Sequence, residues 1–503
     1  MGNTPVALLR RLQEWFGSRP QVGVYLVGGF LRDVLLGRPS HDLDLAIQGD
    51  AVGLARCLAA DLGATFVLLD EANGVARLVW HGDGARWEID LARLQGESVI
   101  ADLGRRDFTV DAMAVPLSAA QGEPSQWPVL DPFGGRGDLQ RRRLRLVAPS
   151  AFQDDPVRLW RAVRLSAQLG FTLDEQTVDA AQAHAALVVT VAPERVRDEF
   201  LKVMALPGST DHLLLADRLG VLCQTIPELG EGKGVAQPPE HAYDVFHHNL
   251  ATPGQLERVL SPSARAHDPV VSVVPWQEGL DGYFAEEVGD GHTRATLLKV
   301  ACLLHDIAKP ACKSVEPTGR IRFLGHQTLG AEMAEGILRR LRCSGKGIAL
   351  VRTAVQHHLR PSHLAPKGQM PSPRAVYRYF RDTGTEGIGI LYLAMADFLA
   401  ARGPNLVWDD WNAYCATIGY ALQEGTRQPL QTLPKLVDGY DIMAVFGLSP
   451  GPHLRPLLEA VREAQATGTV RTRQEALALV ARLLETGVPS TRRDDSPARE
   501  EDT

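Results

Sequence analysis

Cysteine is scarce. The six cysteines, at positions 57, 223, 302, 312, 343 and 415 of 503, form no CxxC pair. That excludes a disulfide framework and a thiolate metal site of the usual spacing. Long hydrophobic runs are missing too. The longest uncharged apolar stretch, Gly387 to Ala396, is too short for a bilayer, which takes about 20 residues, so no membrane is expected as partner. Low-complexity tracts and repeat periods are absent. No Walker A loop is present, since Lys233 and Lys346 are each followed by glycine rather than Ser or Thr. Positive charge is in deficit, with a net charge of −7. A nucleic-acid partner would have to be met by a local basic patch.

What is present is ordinary for a folded protein: 45% apolar and 22% charged residues. The length predicts about three or four domains. The opening MGNTPVALLRRLQEWF is amphipathic, without a signal-peptide core or the hydroxyl residue of a myristoylation signal. A cytoplasmic protein, monomer or homodimer, is expected.

The patterning changes along the chain. VGVYLVG (22–28), DLDLAIQ (42–48), VARLVWH (75–81) and ARWEIDL (85–91) read as strands. Beyond about residue 150, helical periodicity takes over, as in PVRLWRAVRLSAQLG and TLLKVACLLHDIAK. The expected class is α+β: a head with a small mixed sheet, then an all-helical body. The boundaries expected are a head over 1–147, a helical neck over 148–235, a further helical domain over 236–400 and a helical C-terminal region over 401–487. Residues 251–293 read as a loop-rich insertion and 488–503 as a disordered tail.

One constellation carries chemistry. In LVGGFLRDVLLGRPSHDLDLAI (26–47), a strand ends at Gly28-Gly29 and a helix begins at once. Glycines there let the backbone approach phosphates, and a helix N-terminus offers free N–H groups. Arg32 and Asp33 follow one turn in. Asp42 and Asp44 lie two apart on a strand and project from one face. Such a pair suits Mg²⁺, which takes hard oxygen ligands and leaves positions open for substrate phosphates. Asp90, closing the strand WEID with Glu88 facing the same way, is the candidate for a further carboxylate. Arg32, Arg106, Arg161 and Arg164 are forks suited to phosphate. Arg158, Arg161 and Arg164 share a helix face. The basic stretch 136–145 offers Arg136, Arg141, Arg142, Arg143 and Arg145 against Asp138, an expected RNA contact.

GG-x-x-RD-x-x-LG followed by D-x-D resembles the DNA polymerase β-type nucleotidyltransferase superfamily. More narrowly, it resembles bacterial class II tRNA nucleotidyltransferases (CCA-adding enzymes) and poly(A) polymerases. DLGRRDFTVDAMAV (102–115), DPFGGRGDLQRRRLRLV (131–147), FQDDPVRLWRAVRLSAQLGF (152–171) and ERVRDEF (194–200) extend the match. Asp111 departs from it, standing where the family carries Asn. The resemblance implies that Asp42, Asp44 and Asp90 are catalytic around Mg²⁺. It implies that Gly28, Gly29, Arg32, Asp33, Arg106 and Asp107 bind nucleotide. It implies that Asp155 and Arg158, one helical turn apart, read the base edge, backed by Arg161 and Arg164. Cytosine and adenine each offer an amino donor beside a ring-nitrogen acceptor, so one Asp/Arg pair suits both; guanine and uracil present the opposite pattern. The implied activity is addition of C, A or both from CTP and ATP to a tRNA 3′ end.

His-Asp occurs three times, and only His305-Asp306 lies late in an apolar helix. There it resembles the HD phosphohydrolase signature. The resemblance implies a metal site of His248, His305, Asp306, His326, His357 and Asp397, with His358 or His247 able to replace a neighbour. Mixed imidazole and carboxylate ligands favour a transition metal such as Ni²⁺, Mn²⁺ or Co²⁺. Residues 401–487 resemble the family's helical RNA-holding region. Beside tRNA end synthesis, the alternatives are a poly(A) polymerase, a metal-dependent phosphohydrolase whose head delivers RNA, and a non-catalytic RNA-binding protein. The intact Asp42/Asp44 pair argues against the last two.

Overall fold

The structure is a computed structural model that describes residues 6–82, 84–366, 368–427 and 434–486. The expected tail at 488–503 lies outside the described residues. The chain forms two compact units, Met1–Pro227 and Glu228–Thr503.

The first unit is built on a six-stranded sheet. Its strands are β1 (Val24–Val27), β2 (Asp42–Ile47), β3 (Thr65–Asp70), β4 (Val75–Gly82), β5 (Ala85–Arg93) and β6 (Ala114–Pro116), in the order β3-β4-β5-β2-β1-β6. β2 and β5 run parallel and every other pair is antiparallel. Period-two alternation explains the layering. On β4, Ala76, Leu78 and Trp80 face the core, as do Trp87, Ile89 and Leu91 on β5, so Arg77, Glu88 and Asp90 fall on the opposite face. Helix α1 (Val6–Gly17) precedes the sheet, α2 (Gly28–Leu35) follows β1 without a linker, and α3 (Ala51–Leu62) packs on β3, β4 and β5. Asp50 caps α3 by accepting the Gly53 N–H, and Gly63 ends it in the left-handed conformation. The four expected strands are present; β3 and β6 are additional.

Helices Arg158–Leu169 and Pro193–Ala205 pack together in the rest of this unit. The first buries Leu159, Trp160, Val163 and Leu165, while Arg158, Arg161 and Arg164 lie away from that core.

The second unit is helical. Val245–Leu260 packs on Gly387–Arg402 and on Arg294–Leu304; Gly345–His357 packs on His326–Arg340 and on Arg294–Leu304. Apart from Asp397, the body of Gly387–Arg402 is apolar on all sides, as a bundle's central helix must be. By length and composition, Pro373–Asn405 is the one candidate span among the described residues. It is broken at Gly384–Glu386, and its second half is this buried core helix. A small separate core of Ile442, Leu457, Val461, Ala476 and Val480 joins helices Gly439–Phe446, Leu454–Ala466 and Arg473–Thr486.

The segment 251–293 is not loop-rich. Helix Val245–Leu260 runs through Pro253, helices follow at Pro262–His267 and Leu280–Ala285, and a hairpin joins Glu287–Gly289 to His292–Thr293. Burial of Thr252, Pro253, Leu256 and Val259 overrides the proline's tendency to break the helix.

Candidate functional sites

The parallel register of β2 and β5 sets Asp42 beside Glu88 and Asp44 beside Asp90. Four carboxylates therefore share one sheet face. Arg77, opposite Asp90 on β4, closes a fork on it: Nε donates to Oδ1 at 2.7 Å and Nη2 to Oδ2 at 2.8 Å, while Nη1 reaches Glu88. Asp90 thus stands in register with the D-x-D pair but already holds a cation. Arg77 was not singled out from sequence, although its alternation against Ala76 and Leu78 places it on that face.

Asp44 is bound by the start of α2. The Phe30 N–H donates to its Oδ2 at 3.3 Å. Gly28 makes that approach possible. Its φ is +66°, and a Cβ there would fall 2.9 Å from Asp44 Oδ2 and 3.0 Å from an Arg106 guanidinium nitrogen. Burial pushes the Asp44 pKa up to about 6, against the Phe30 N–H and Arg106, with Asp90 and Asp111 adding to the rise. Burial and Glu88 raise Asp42 as well. Two adjacent carboxylates short of positive charge form a hard-oxygen donor set that fits a Mg²⁺ ion.

The expected phosphate-binding arginines divide. Arg32 is buried and saturated: Nε and Nη2 donate to Asp33 at 2.9 and 3.0 Å, and Nη1 donates to Asp111 at 2.8 Å. It is a structural cation, and Asp111 fills the Asn position as its second counter-ion. Arg161 binds Asp107 at 2.7 Å and outweighs burial to hold that carboxyl below its usual range. Arg164 binds Glu199 at 2.6 Å. Arg106 differs. It makes only long contacts, at 3.3 Å to the Asp111 carbonyl and 3.4 Å to Asp102, and its buried Nε has no partner. Beside Asp44, it keeps a donor for phosphate.

Asp155 and Arg158 do not pair with each other, and only Arg158 is on the helix. Asp155 is extended, at φ −150° and ψ 95°, because the following Pro156 disfavours the helical conformation. Its carboxylate takes a two-point contact from Arg195 at 2.8 and 3.1 Å. Arg158 donates to the Arg105 and Ala151 carbonyls at 2.7 and 3.2 Å. Arg195 lies in ERVRDEF, which sequence marked without assigning it a role. In the basic stretch, Arg136, Arg141 and Arg142 are exposed. Arg143 pairs with Asp174 at 2.9 Å and Arg145 with Asp138 at 2.7 Å.

In the second unit, three helices, carrying His248, His326 and Asp397, and the turns after two more, carrying His305-Asp306 and His358, converge on Asp306. His248 Nε2 lies 3.1 Å from His305 Nε2, 3.4 Å from Asp306 and 3.0 Å from Asp397. On the other side, His326 Nε2 lies 3.2 Å from Asp306 and 3.3 Å from His358 Nε2. Two potential ligand groups, His248/His305/Asp306 and Asp306/His326/His358, thus share one carboxylate. The Nδ1 atoms of His305, His326 and His358 lie 2.6–2.7 Å from the carbonyls of Cys302, Phe323 and Val355. Donation there orients the rings and leaves each Nε2 free for a metal. The cluster takes His358 rather than His357. Only 358 continues the buried face of Val351, Ala354 and Val355 toward Asp306. His247 binds Asp244 instead. Burial opposes charge on His305, but Asp306 and Asp397 outweigh it and raise its pKa to about 10. A buried His248 Nδ1 remains without a hydrogen-bond partner. The donor set fits one or two divalent cations. Sequence missed Lys309, 2.6 Å from Asp306 and one turn after it, and His241, whose ring stacks edge-on to His248.

Comparison with known proteins agrees with this geometry. Residues 24–145 match the poly A polymerase head domain, 170–232 the probable RNA and SrmB-binding site of polymerase A, and 282–382 the HD domain. The chain is 35% identical over 470 residues to an A-adding tRNA nucleotidyltransferase of Deinococcus radiodurans, covering 92% of this chain and 96% of that protein. It is 32% identical to a CC-adding tRNA nucleotidyltransferase of Geobacter sulfurreducens, covering 92% of each. Its fold matches a CCA-adding enzyme in complex with CTP at a TM-score of 0.63 and 20% identity, over 96% of each chain. A Thermotoga maritima CCA-adding enzyme complexed with tRNA matches at 0.56 and 19%, again over 96% of each. With a D-x-D pair set against a glycine turn, and relatives of this identity along nearly its whole length, the chain belongs to the tRNA nucleotidyltransferase family and is a nucleotidyltransferase.

Proposed function

We propose that the protein adds C, A or both, from CTP and ATP, to the 3′ end of tRNA in the cytoplasm. The observation that carries this is the placement of Asp42 and Asp44 against the Gly28 turn, with the unmatched Arg106 beside them. Asp42 and Asp44 would hold Mg²⁺, with Asp90 supporting them from the neighbouring strand. When bound, the metal supplies charge neutralisation on the triphosphate and a more acidic RNA 3′-hydroxyl. The chain's own residues do the rest. The α2 N-terminus and Arg106 orient the triphosphate, and Asp107 keeps Arg161 in place. The exposed Arg136, Arg141 and Arg142 meet the RNA backbone. The deciding experiment incubates the protein with tRNAs truncated to three successive 3′ ends, each labelled NTP and Mg²⁺. Extension of none of them would refute the proposal, and the pattern of extension distinguishes A-adding, CC-adding and CCA-adding enzymes. Untemplated runs of A on unrelated RNA would identify a poly(A) polymerase.

Base choice falls to Asp155 and Arg158. On nucleotide binding, Asp155 exchanges Arg195 for the amino group of cytosine or adenine, and Arg158 donates to the adjacent ring nitrogen. Asp155→Ala or Arg158→Ala blurs selection more than it slows transfer, costing about 1–3 kcal/mol of discrimination. Incorporation of all four NTPs measures this, and an unchanged preference for C and A over U and G would remove the role.

A second activity is favoured by the shared Asp306: metal-dependent hydrolysis of phosphomonoesters or cyclic phosphodiesters, with Ni²⁺, Mn²⁺ or Co²⁺ as the metal. The double variant His305→Ala with Asp306→Ala loses bound transition metal and any phosphatase activity, yet retains nucleotide addition. Elemental analysis and melting curves accompany the assay, since both side chains are buried. Loss of nucleotide addition in a well-folded double variant would show the sites to be coupled.

A further inference from the structure

The histidine cluster opens into a cavity of about 2890 Å³ within the second unit. Pockets for small molecules hold about 300–1,000 Å³, so this space suits a chain of linked groups better than a single nucleotide. Its lining contains Asp306, His326, His358 and Asp397 and also Arg360, Arg378, Arg381 and Arg455. A smaller cavity of about 270 Å³ shares Arg360, His363 and Arg378 with it and adds Arg374.

These arginines are crowded. Arg374, Arg378 and Arg381 recur on one face of helix Pro373–Thr383, so their charges follow one another at about 5–6 Å intervals along the axis. Glu463 serves both Arg374 and Arg378. Asp382 serves both Arg360 and Arg381, and Glu459 also binds Arg381. Arg455 makes no ion pair among the described residues. Five arginines thus meet three carboxylates, in a chain whose net charge is −7. Burial, with Arg374 and Arg381 close by, lowers the Arg378 pKa, while the hydrogen bond to Asp382 raises that of Arg381.

We propose that this cavity is a binding channel for single-stranded RNA, in which Arg360, Arg378, Arg381 and Arg455 hold successive internucleotide phosphates while the chain's end reaches the Asp306 cluster. The direction of the chain rests on the hydrolytic role proposed above; the channel itself does not. Arg378 and Arg381, spaced along one helix face, with Arg360 and Arg455 lining the same cavity, match the repeating charge of a backbone, and binding one displaces the shared carboxylates as partners.

The test uses the full-length protein in chelator, so that metal plays no part. A fluorescent hexauridylate with a 3′-phosphate, carrying one 4-thiouridine, is titrated by anisotropy and then photo-crosslinked. Arg378→Ala with Arg455→Ala should weaken binding about tenfold. It should also reduce the log–log salt slope by about 1.4, at about 0.7 per lost phosphate contact on a single strand. Arg455→Ala alone breaks no internal ion pair, so it should lower the slope by about 0.7 with an unchanged melting curve. Crosslinks should fall within residues 360–381 and 452–459. Unchanged affinity and slope in both variants would overturn the proposal. So would crosslinks confined to residues 1–227, or uridine 3′,5′-bisphosphate binding as tightly as the hexamer, which would make the cavity a mononucleotide pocket. The metal content of the untreated protein, measured separately, decides the hydrolytic role without bearing on this result.

Discussion

Asp44→Asn abolishes nucleotide addition, lowering the rate about a thousandfold or more. The asparagine amide keeps an oxygen for the Phe30 N–H but removes the negative charge that draws a cation between β2 and α2. Losing metal-assisted stabilisation costs several kcal/mol, and about 4 kcal/mol corresponds to three decades of rate. Stability moves the other way. The Asp44 pKa rises from 3.8 to about 6 on folding. An acid raised in this way stabilises the fold below its unfolded pKa, and that contribution is lost as pH rises through the folded value. In chelator at pH 8, the Asn variant therefore melts no lower than wild type, and its advantage disappears toward pH 4. Activity within threefold of wild type would place the reaction elsewhere. A variant that melted well below wild type at pH 8 would show Asp44 to be a structural rather than a metal-holding carboxylate.

Arg32→Ala has the largest expected effect on stability. It leaves Asp111, which is 5% exposed, and Asp33 without their shared cation. Breaking a buried ion pair from one side costs about 3–5 kcal/mol. Asp111→Asn costs far less, because an amide oxygen still accepts from Arg32 and Asp33 still balances its charge. Hydrogen exchange of peptides from α2 and from 102–115 under increasing denaturant measures both. Equal protection in the two variants would show that Arg32 is not the cation holding this part of the head together.

The contrast between these residues shows what a sequence can carry. Alternation in VARLVWH and ARWEIDL is local, so the strands were legible, as was the shared face of Asp42 and Asp44. The fate of each arginine was not. Arg32, Arg161 and Arg164 look alike as forks, yet the second acid of Arg32 and the acids of Arg161 and Arg164 lie 79, 54 and 35 residues away, and only tertiary structure chooses between counter-ion and substrate. Asp155 illustrates a local signal that was available: Pro156 keeps the preceding residue out of the helix. His357 and His358 differ by a 100° rotation about a helix axis. The apolar phase of Val351, Ala354 and Val355 already pointed to the second. Pro253 misled because a breaker in sequence can be outweighed by burial that only the assembled bundle supplies.

The parallel pairing of β2 with β5 has a kinetic meaning. The two strands meet only after α3, β3 and β4 have been traversed, so the carboxylate face depends on a non-local contact. Such contacts form late, because a loop must close before the pairing is rewarded. The hairpins β3-β4 and β4-β5 and the helices of the second unit depend on shorter closures. In a refolding experiment, far-ultraviolet ellipticity returns first and nucleotide affinity follows as a slower phase. A lesion in this pairing, such as glycine in place of Leu45 or Ile89, which also loosens their pairing with β1 and β4, leaves a chain that is helical and collapsed yet catalytically silent for longer after each unfolding.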